Sequence, residues 1–247
     1  PMKSMIAVLA ASLAATALPV HAEEASPLTF NIGATSDYRY RGISQSRLKP
    51  ALQGGVDYAH ASGFYIGSWA STIKWIKDVP GGDASVEIDV YGGYKTEVAQ
   101  GLTLDVGALT YIYPSNKLSP NANTTELYAA LSYGPVTAKY SHALTNTFGN
   151  GDSKNSRYLD LSASFEIVDG WTLAPHVGHQ WIKGPARSAA SYTDYSLALS
   201  KDFKGLVPSL SVVSTNADKD FYVPGANANS TKFLGKTGVV VALKYNF

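Results

Sequence analysis

Five histidines, nineteen carboxylates, twenty cations and no cysteine define the chemistry open to this 247-residue chain. Without cysteine there is no disulfide framework, no zinc–cysteine site and no thiol nucleophile. The sole His-x-Ser arrangement, His60-Ala61-Ser62, pairs a base with a hydroxyl and defines a hydrolase hypothesis whose worth depends on where the pair sits. His176 has no second His or Cys at ligand spacing, so no metal site is expected. No glycine-rich phosphate loop follows a strand and opens a helix, and neither nucleotide nor other cofactor is expected. What remains is a population of acids and bases whose role depends on the surface they face.

The elements that position them begin after an N-terminal segment. Lys3 precedes an apolar run over 5–18 and a small-residue site, Val20-His21-Ala22, so residues 1–22 are expected to be an added Pro1 plus a cleaved export signal. The run is shorter than the roughly 20 apolar residues of a spanning helix. Residues 23–247 are expected to form one domain. Loss of Lys3 leaves 19 cations against 19 acids, a neutral chain with no electrostatic footprint for nucleic acid. Sixteen Tyr, 22 Gly and only 16% charged residues are unusual for a soluble domain.

The recurring period is two. Val86, Ile88, Val90, Gly92 and Tyr94 alternate with Glu87, Asp89, Tyr91 and Gly93, and the same rhythm recurs over 102–112, 159–166 and 238–247. Twelve such segments are expected, at 28–39, 50–60, 64–73, 85–97, 102–113, 124–133, 136–143, 156–166, 171–182, 192–201, 206–216 and 236–247. The connections alternate long and short. Each short one holds a glycine (Ser62-Gly63, Gln100-Gly101, Gly134-Pro135, Asp169-Gly170, Lys204-Gly205), and the long ones are polar. A secreted sandwich or lipocalin-like barrel would also alternate. Loops segregated by length are instead the signature of an antiparallel transmembrane β-barrel with short periplasmic turns and long extracellular loops. The apolar phase carries almost no charge, Arg157 at a strand mouth being the clear exception.

Aromatic residues near strand ends read as two interfacial belts, Tyr58, Tyr65, Tyr94, Tyr133, Trp171 and Tyr245 at the short-turn end and Tyr38, Trp69, Tyr111, Tyr113, Trp181 and Tyr195 at the other. Pro175 and Pro208 fall within strands and predict local bulges. His60-Ala61-Ser62 falls in a short turn; outer-membrane phospholipases, also twelve-stranded, carry their His-x-Ser pair near the outer leaflet, so this pair is at the wrong end for lipid hydrolysis. His142 and His179 share the lipid phase near the long loops, and His176 points inward.

The inward phase contains Asp37, Asp57, Glu87, Asp89, Glu97, Asp105, Glu126, Asp160, Glu166 and Asp194 against Arg39, Lys95, Lys139 and Lys244. Ten acids against four bases leave an excess of six negative charges, which concentrates cations in a water-filled lumen. If the charges pair across strands, they fill a plugged barrel instead. Arg39 and Arg41 are both aimed inward at the external mouth, where Glu87, Glu126 and Asp194 begin their strands, either as a constriction or as a clamp on the first loop.

Two resemblances add to this. Alternating Val239, Val241, Leu243, Tyr245 and terminal Phe247 resemble the C-terminal recognition strand of bacterial outer-membrane proteins, which implies the barrel-assembly machinery as a partner and Tyr245 and Phe247 as its signal. The stretches Y-R-Y-R-G-I-S-Q-S over 38–46, K-P-A-L-Q-G-G-V-D-Y-A-H-A-S-G-F-Y-I-G-S-W-A-S over 49–71 and E-I-D-V-Y-G-G-Y over 87–94 resemble the TorF family of proteobacterial porins. That resemblance implies an outer-membrane barrel with a pore role and supplies no substrate or catalytic residues.

The expectation is therefore a non-enzymatic, twelve-stranded barrel of the bacterial outer membrane, through which small hydrophilic solutes diffuse with cation preference. Asp37, Arg39, Arg41, Glu87, Asp89, Asp105, Glu126, Lys139, Asp160 and Asp194 are expected to line the pore. Outer-membrane lipids and lipopolysaccharide surround it, and a homo-oligomer is compatible with the pattern. The alternatives are a structural or interaction barrel with a plugged lumen, its 217–235 loop docking a partner, and a lipid hydrolase.

Overall fold

The computed structural model describes residues 26–247, and the expected export signal lies outside them. Twelve strands follow the sequence rhythm: β1 (Leu28–Thr35), β2 (Ala51–Ala59), β3 (Phe64–Thr72), β4 (Val86–Ala99), β5 (Leu102–Ile112), β6 (Thr124–Tyr133), β7 (Val136–Ala143), β8 (Arg157–Ala163, resuming at Phe165–Glu166), β9 (Trp171–Trp181), β10 (Tyr192–Lys201), β11 (Leu206–Thr215) and β12 (Gly238–Asn246). Each pairs antiparallel with its sequence neighbours, and β1 pairs with β12, Asn31 opposite Asn246 and Thr35 opposite Ala242, so the sheet closes on itself with no free edge. Among the described residues no helix is long and apolar enough to cross a membrane.

The short turns use left-handed backbone. Asp169 and Gly170 (φ 49° and 73°) and Lys204 and Gly205 (57° and 95°) each place two successive residues there, the geometry that lets a two-residue link follow the strands' right-handed twist. The wall is apolar outside, with Leu52 at 67%, Phe64 at 62% and Val239 at 62% exposed. Exposed leucine and phenylalanine around the whole perimeter require a surrounding that is not water.

Four local expectations are corrected. The first strand ends at Thr35 rather than 39, because the chain there turns into the barrel and forms the short Arg39–Tyr40/Ile43–Ser44 ribbon. Pro175 and Pro208 produce no bulge in their own strands. The β9 register runs through Pro175 unchanged, and the missing N–H is expressed as the break of β8 at Ser164; pairing of β10 with β11 stops at Ser209, one residue short of Pro208. The register shift falls between Glu97 and Ala99 instead, beside the Gln100-Gly101 turn.

The fourth concerns the aromatics. Tyr58, Tyr94, Tyr133, Trp171 and Tyr245 do face outward near the short turns, and Trp181 and Tyr195 do so near the long loops. Tyr38, Tyr65, Trp69, Tyr111 and Tyr113 instead lie inside, in one core cluster with Tyr40, Ile76, Tyr91 and Tyr128 that extends from Tyr65, beside a short turn, up to the long-loop end. Position near a strand end does not fix the face; the phase relative to Leu or Val on the same strand does.

The long loops pack over and into that end. Helix α1 (Trp75–Asp78) sits beneath the 216–237 loop, where Asn227 donates to the carbonyls of Lys77 and Val79. Arg47 makes a two-pronged ion pair with buried Asp78, joining the first and second long loops. A second cluster, Ile43, Tyr192, Ala217 and Leu234, holds the first loop from the other side.

Candidate functional site

The lumen is built from a repeated unit of tyrosine, glycine and carboxylate on three adjacent strands. Tyr91 on β4 lies over Gly67 on β3 and donates to Asp57 on β2 at 2.5 Å; Tyr65 on β3 lies over Gly93 on β4 and donates to Asp105 on β5 at 2.5 Å. Tyr158 on β8 lies over Gly178 on β9 and donates to Asp194 on β10 at 3.0 Å. A Cβ at Gly178 would stand 1.9 Å from the Tyr158 hydroxyl, so the ring reaches its acid only because the intervening residue has no side chain. Sequence reading missed this unit. Its signal was present as inward-phase glycines whose neighbouring strands carry an inward tyrosine.

The first long loop closes the unit at the mouth. Arg41 is buried, donates to Glu126 at 2.7 Å and to the Gln180 side chain at 2.5 Å, and stacks over the Tyr158 ring at 4.2 Å. The loop springs from β1, and its partners sit on β6, β8 and β9, so Arg41 crosses the lumen. Tyr40 donates to the Tyr111 hydroxyl at 2.7 Å, and Tyr38 to Glu87 at 2.5 Å. Burial, reinforced by Glu87 and Asp89, pushes the Tyr38 hydroxyl well above its ordinary pKa, which keeps it a donor. Arg39 takes the clamp role: it pairs with Asp37 and donates to the carbonyls of Gly42, Leu234 and Lys236.

Below the loop lies a cavity of about 280 Å³, reaching from residues 39–42 down to Ser132, Pro135 and Ser164. Its wall is two-sided. On β10–β12 and β1 small side chains predominate, with Ser196, Ala198, Ser200, Ser209, Ser211, Ala242 and Gly33 beside the charged Asp194 and Lys244; on β4, β5 and β7–β9 it carries Lys95, Asp105, Lys139, Asp160 and His176. Lys139 sits over the Tyr128 ring at 4.1 Å, and His176 bridges Asp160 at 2.5 Å and Asp194 at 3.6 Å.

The ten expected pore residues thus divide. Asp37, Arg39, Arg41, Asp105, Lys139, Asp160 and Asp194 border the cavity, whereas Glu87, Asp89 and Glu126 lie behind its aromatic wall, each at most 2% exposed. Both carboxylate oxygens of Asp89 are buried without a hydrogen-bond partner. With Arg41 counted, five cations face ten inward acids. No group of three or more acids and histidines among the described residues is placed to hold a metal ion. His60 Nδ1 meets the Ser62 hydroxyl at 2.6 Å inside the exposed short turn, and no carboxylate orients that ring among the described residues.

Closed antiparallel wall, apolar exterior and polar, charged interior define a transmembrane barrel of the porin type. The chain belongs to a bacterial family described as "Bacterial protein of unknown function (Gcw_chp)", whose model matches residues 21–247. Among solved structures it is similar to the KdgM porin, at 11% identity over 89% of this chain and 99% of that one with a TM-score of 0.56. It is likewise similar to the NanC porin, at 12% identity over 89% of this chain and 98% of that one, also at 0.56. KdgM has also been solved in complex with disordered oligogalacturonate. At these identities the likeness is one of fold. A search of curated proteins finds no match.

Proposed function

We propose that this protein is an outer-membrane channel for passive diffusion of small hydrophilic solutes, narrowed by its first loop and weakly cation-preferring. The observation that carries the reading is the cavity running under Arg41, bordered by serine and charged side chains, inside a wall whose exterior is predominantly apolar. The resemblance of residues 38–46 and 87–94 to the TorF porins supports it. Ten inward acids against five cations favour cations at long range. The cavity surface itself, with Asp37, Asp105, Asp160 and Asp194 against Arg39, Arg41, Lys95, Lys139 and Lys244, is close to balanced, so the preference is weak. A polyanionic oligosaccharide such as the KdgM ligand would meet an excess of only one positive charge on this surface. Insertion by the barrel-assembly machinery through Tyr245 and Phe247, and a lipid and lipopolysaccharide surround, belong to the same reading.

A second reading, an occluded structural barrel, is favoured by the burial of Tyr40 and Arg41 in the loop-end mouth. Planar-bilayer recording of the refolded protein in a salt gradient separates the two. Stable conductance with a small cation-directed reversal potential supports the channel; no conductance from heat-modifiable, folded barrel overturns it in favour of the occluded one.

A further inference from the structure

The outer wall carries an anomaly that transport does not use. Among the described strands, the outward-facing cationic or imidazole side chains number four: His142 on β7, Arg157 on β8, His179 on β9 and, at the opposite end, Lys201 on β10. The first three sit on adjacent strands at the long-loop end. Register sets them side by side: Arg157 lies opposite His142 on one flank and opposite Trp181 on the other, with Leu159, opposite both Tyr140 and His179, one step deeper. The carboxylates of these strands, Asp160, Glu166 and Asp194, share the inward phase, Glu166 at the opposite, short-turn end, and no strand acid shares the patch.

Arg157 is exposed, stacks over Trp181 at 5.2 Å, and among the described residues makes no ion pair and no side-chain hydrogen bond. A guanidinium lying on a ring keeps its in-plane N–H groups free, the fork that matches two oxygens of a phosphate. The neighbours are already fixed. His142 bonds Tyr140 at 3.2 Å and Asn155 at 3.1 Å; His179 bonds Thr193 at 2.7 Å and packs on Trp181 at 4.3 Å. Trp181, Tyr140 and outward-facing Tyr195 mark the headgroup level, where an arginine is tolerated on a lipid-facing wall. An unpaired guanidinium there, apolar side chains below and polar loops above, is complementary to an anion attached to acyl chains.

We propose that this patch binds the phosphorylated headgroup of an outer-leaflet glycolipid of the lipid A class, Arg157 taking the phosphate and Leu159 and Leu161 the first acyl carbons. The assignment rests on the long loops being external and is independent of whether the lumen conducts.

Native mass spectrometry of the folded full chain in detergent tests it, with bisphosphorylated lipid A, its dephosphorylated form and inorganic phosphate as separate probes. Retained adducts of the bisphosphorylated lipid alone, reduced about tenfold by Arg157→Gln and unchanged by Lys201→Gln, are expected. Arg157→Lys keeps the charge but not the fork, and an intermediate loss is expected; it serves also if Arg157→Gln yields no folded barrel. Undiminished lipid binding in the Arg157 variants, or equal binding of the dephosphorylated lipid, overturns the proposal. Saturable binding of inorganic phosphate comparable to that of the lipid makes the patch a free-anion site and overturns the lipid assignment.

Discussion

Arg41 and Glu126, 85 residues apart in sequence, form a buried ion pair of 2.7 Å that fastens the first long loop to the far wall of the barrel. Two more partners share the guanidinium, Gln180 and the Tyr158 ring, so the loop is held at a point over the cavity rather than at its rim.

Arg41→Gln therefore leaves Glu126 buried without its cation, a loss worth about 3–5 kcal/mol when one partner of a buried pair is removed. The expected outcome is a lower thermal midpoint together with higher single-channel conductance as the loop leaves the mouth. Glu126→Gln added to Arg41→Gln restores part of the stability, because no uncompensated charge remains. Equal stability of the single and double variants refutes the pair's role.

Gly178→Ala tests the tyrosine–glycine–carboxylate unit. The new Cβ meets the Tyr158 hydroxyl at 1.9 Å, so the ring must leave Asp194, at a cost of about 1–3 kcal/mol for overpacking. Gly151→Ala, with Pro120 Cγ 3.6 Å away, is the matched control and is expected to stay within about 0.5 kcal/mol. Denaturation followed by tyrosine fluorescence reads both.

Orientation is open to a clean experiment because the chain has no cysteine. Lys219→Cys in the 216–237 loop should react with a membrane-impermeant maleimide on whole cells, and Ser62→Cys in a short turn should react only after the envelope is opened. Labelling of Ser62→Cys on intact cells reverses the topology and with it the leaflet assigned to Arg157.

Phe247 has a structural role beside the assembly signal proposed for it. Phe247 stacks on Phe30 and on Tyr245, each with centroids 5.7 Å apart, and its backbone exchanges hydrogen bonds with Phe30 at the seam between first and last strands. Phe247→Ala removes both aromatic contacts, about 0.5–1.5 kcal/mol each, and is expected to reduce the yield of heat-modifiable barrel well below that of an exposed-loop change such as Lys219→Ala. Normal yield counts against a role in closure.

Strand positions were legible because lipid outside and water inside impose the period-two rule on almost every residue; β6, β7 and β10 begin and end where the alternation and the glycine turns place them. The long loops obey no such rule. Nothing local in Tyr38-Arg39-Tyr40-Arg41 states that the segment folds inward, since its partners Glu87, Tyr111, Glu126 and Gln180 are remote in sequence. Tyrosine was misread for a related reason: it suits a lipid interface and a hydrated lumen equally, and only the phase of Tyr65 relative to Phe64 and Ile66 decides.

The same distinction decides which acids control selectivity. The sequence count treats all ten inward carboxylates alike, but Glu87, Asp89 and Glu126 lie behind Trp69, Tyr111 and Tyr38, with Glu126 tied to Arg41, whereas Asp105 and Asp160 border the cavity. A permeating ion feels a carboxylate through water only over roughly a Debye length, about 10 Å at 0.1 M salt and 3 Å at 1 M. Replacing Asp105 and Asp160 together with Asn is thus expected to shift the reversal potential toward anions, leaving Lys139 and Lys95 dominant, and the shift should shrink as salt is raised. Replacing Glu87 and Asp89 with Gln and Asn should move selectivity less and stability more, since Tyr38 donates to Glu87 from the loop that narrows the mouth. If the buried pair instead moves the reversal potential as far as the cavity pair, the acids act through the barrel's summed field, and the inward charge count, not the cavity surface, sets selectivity.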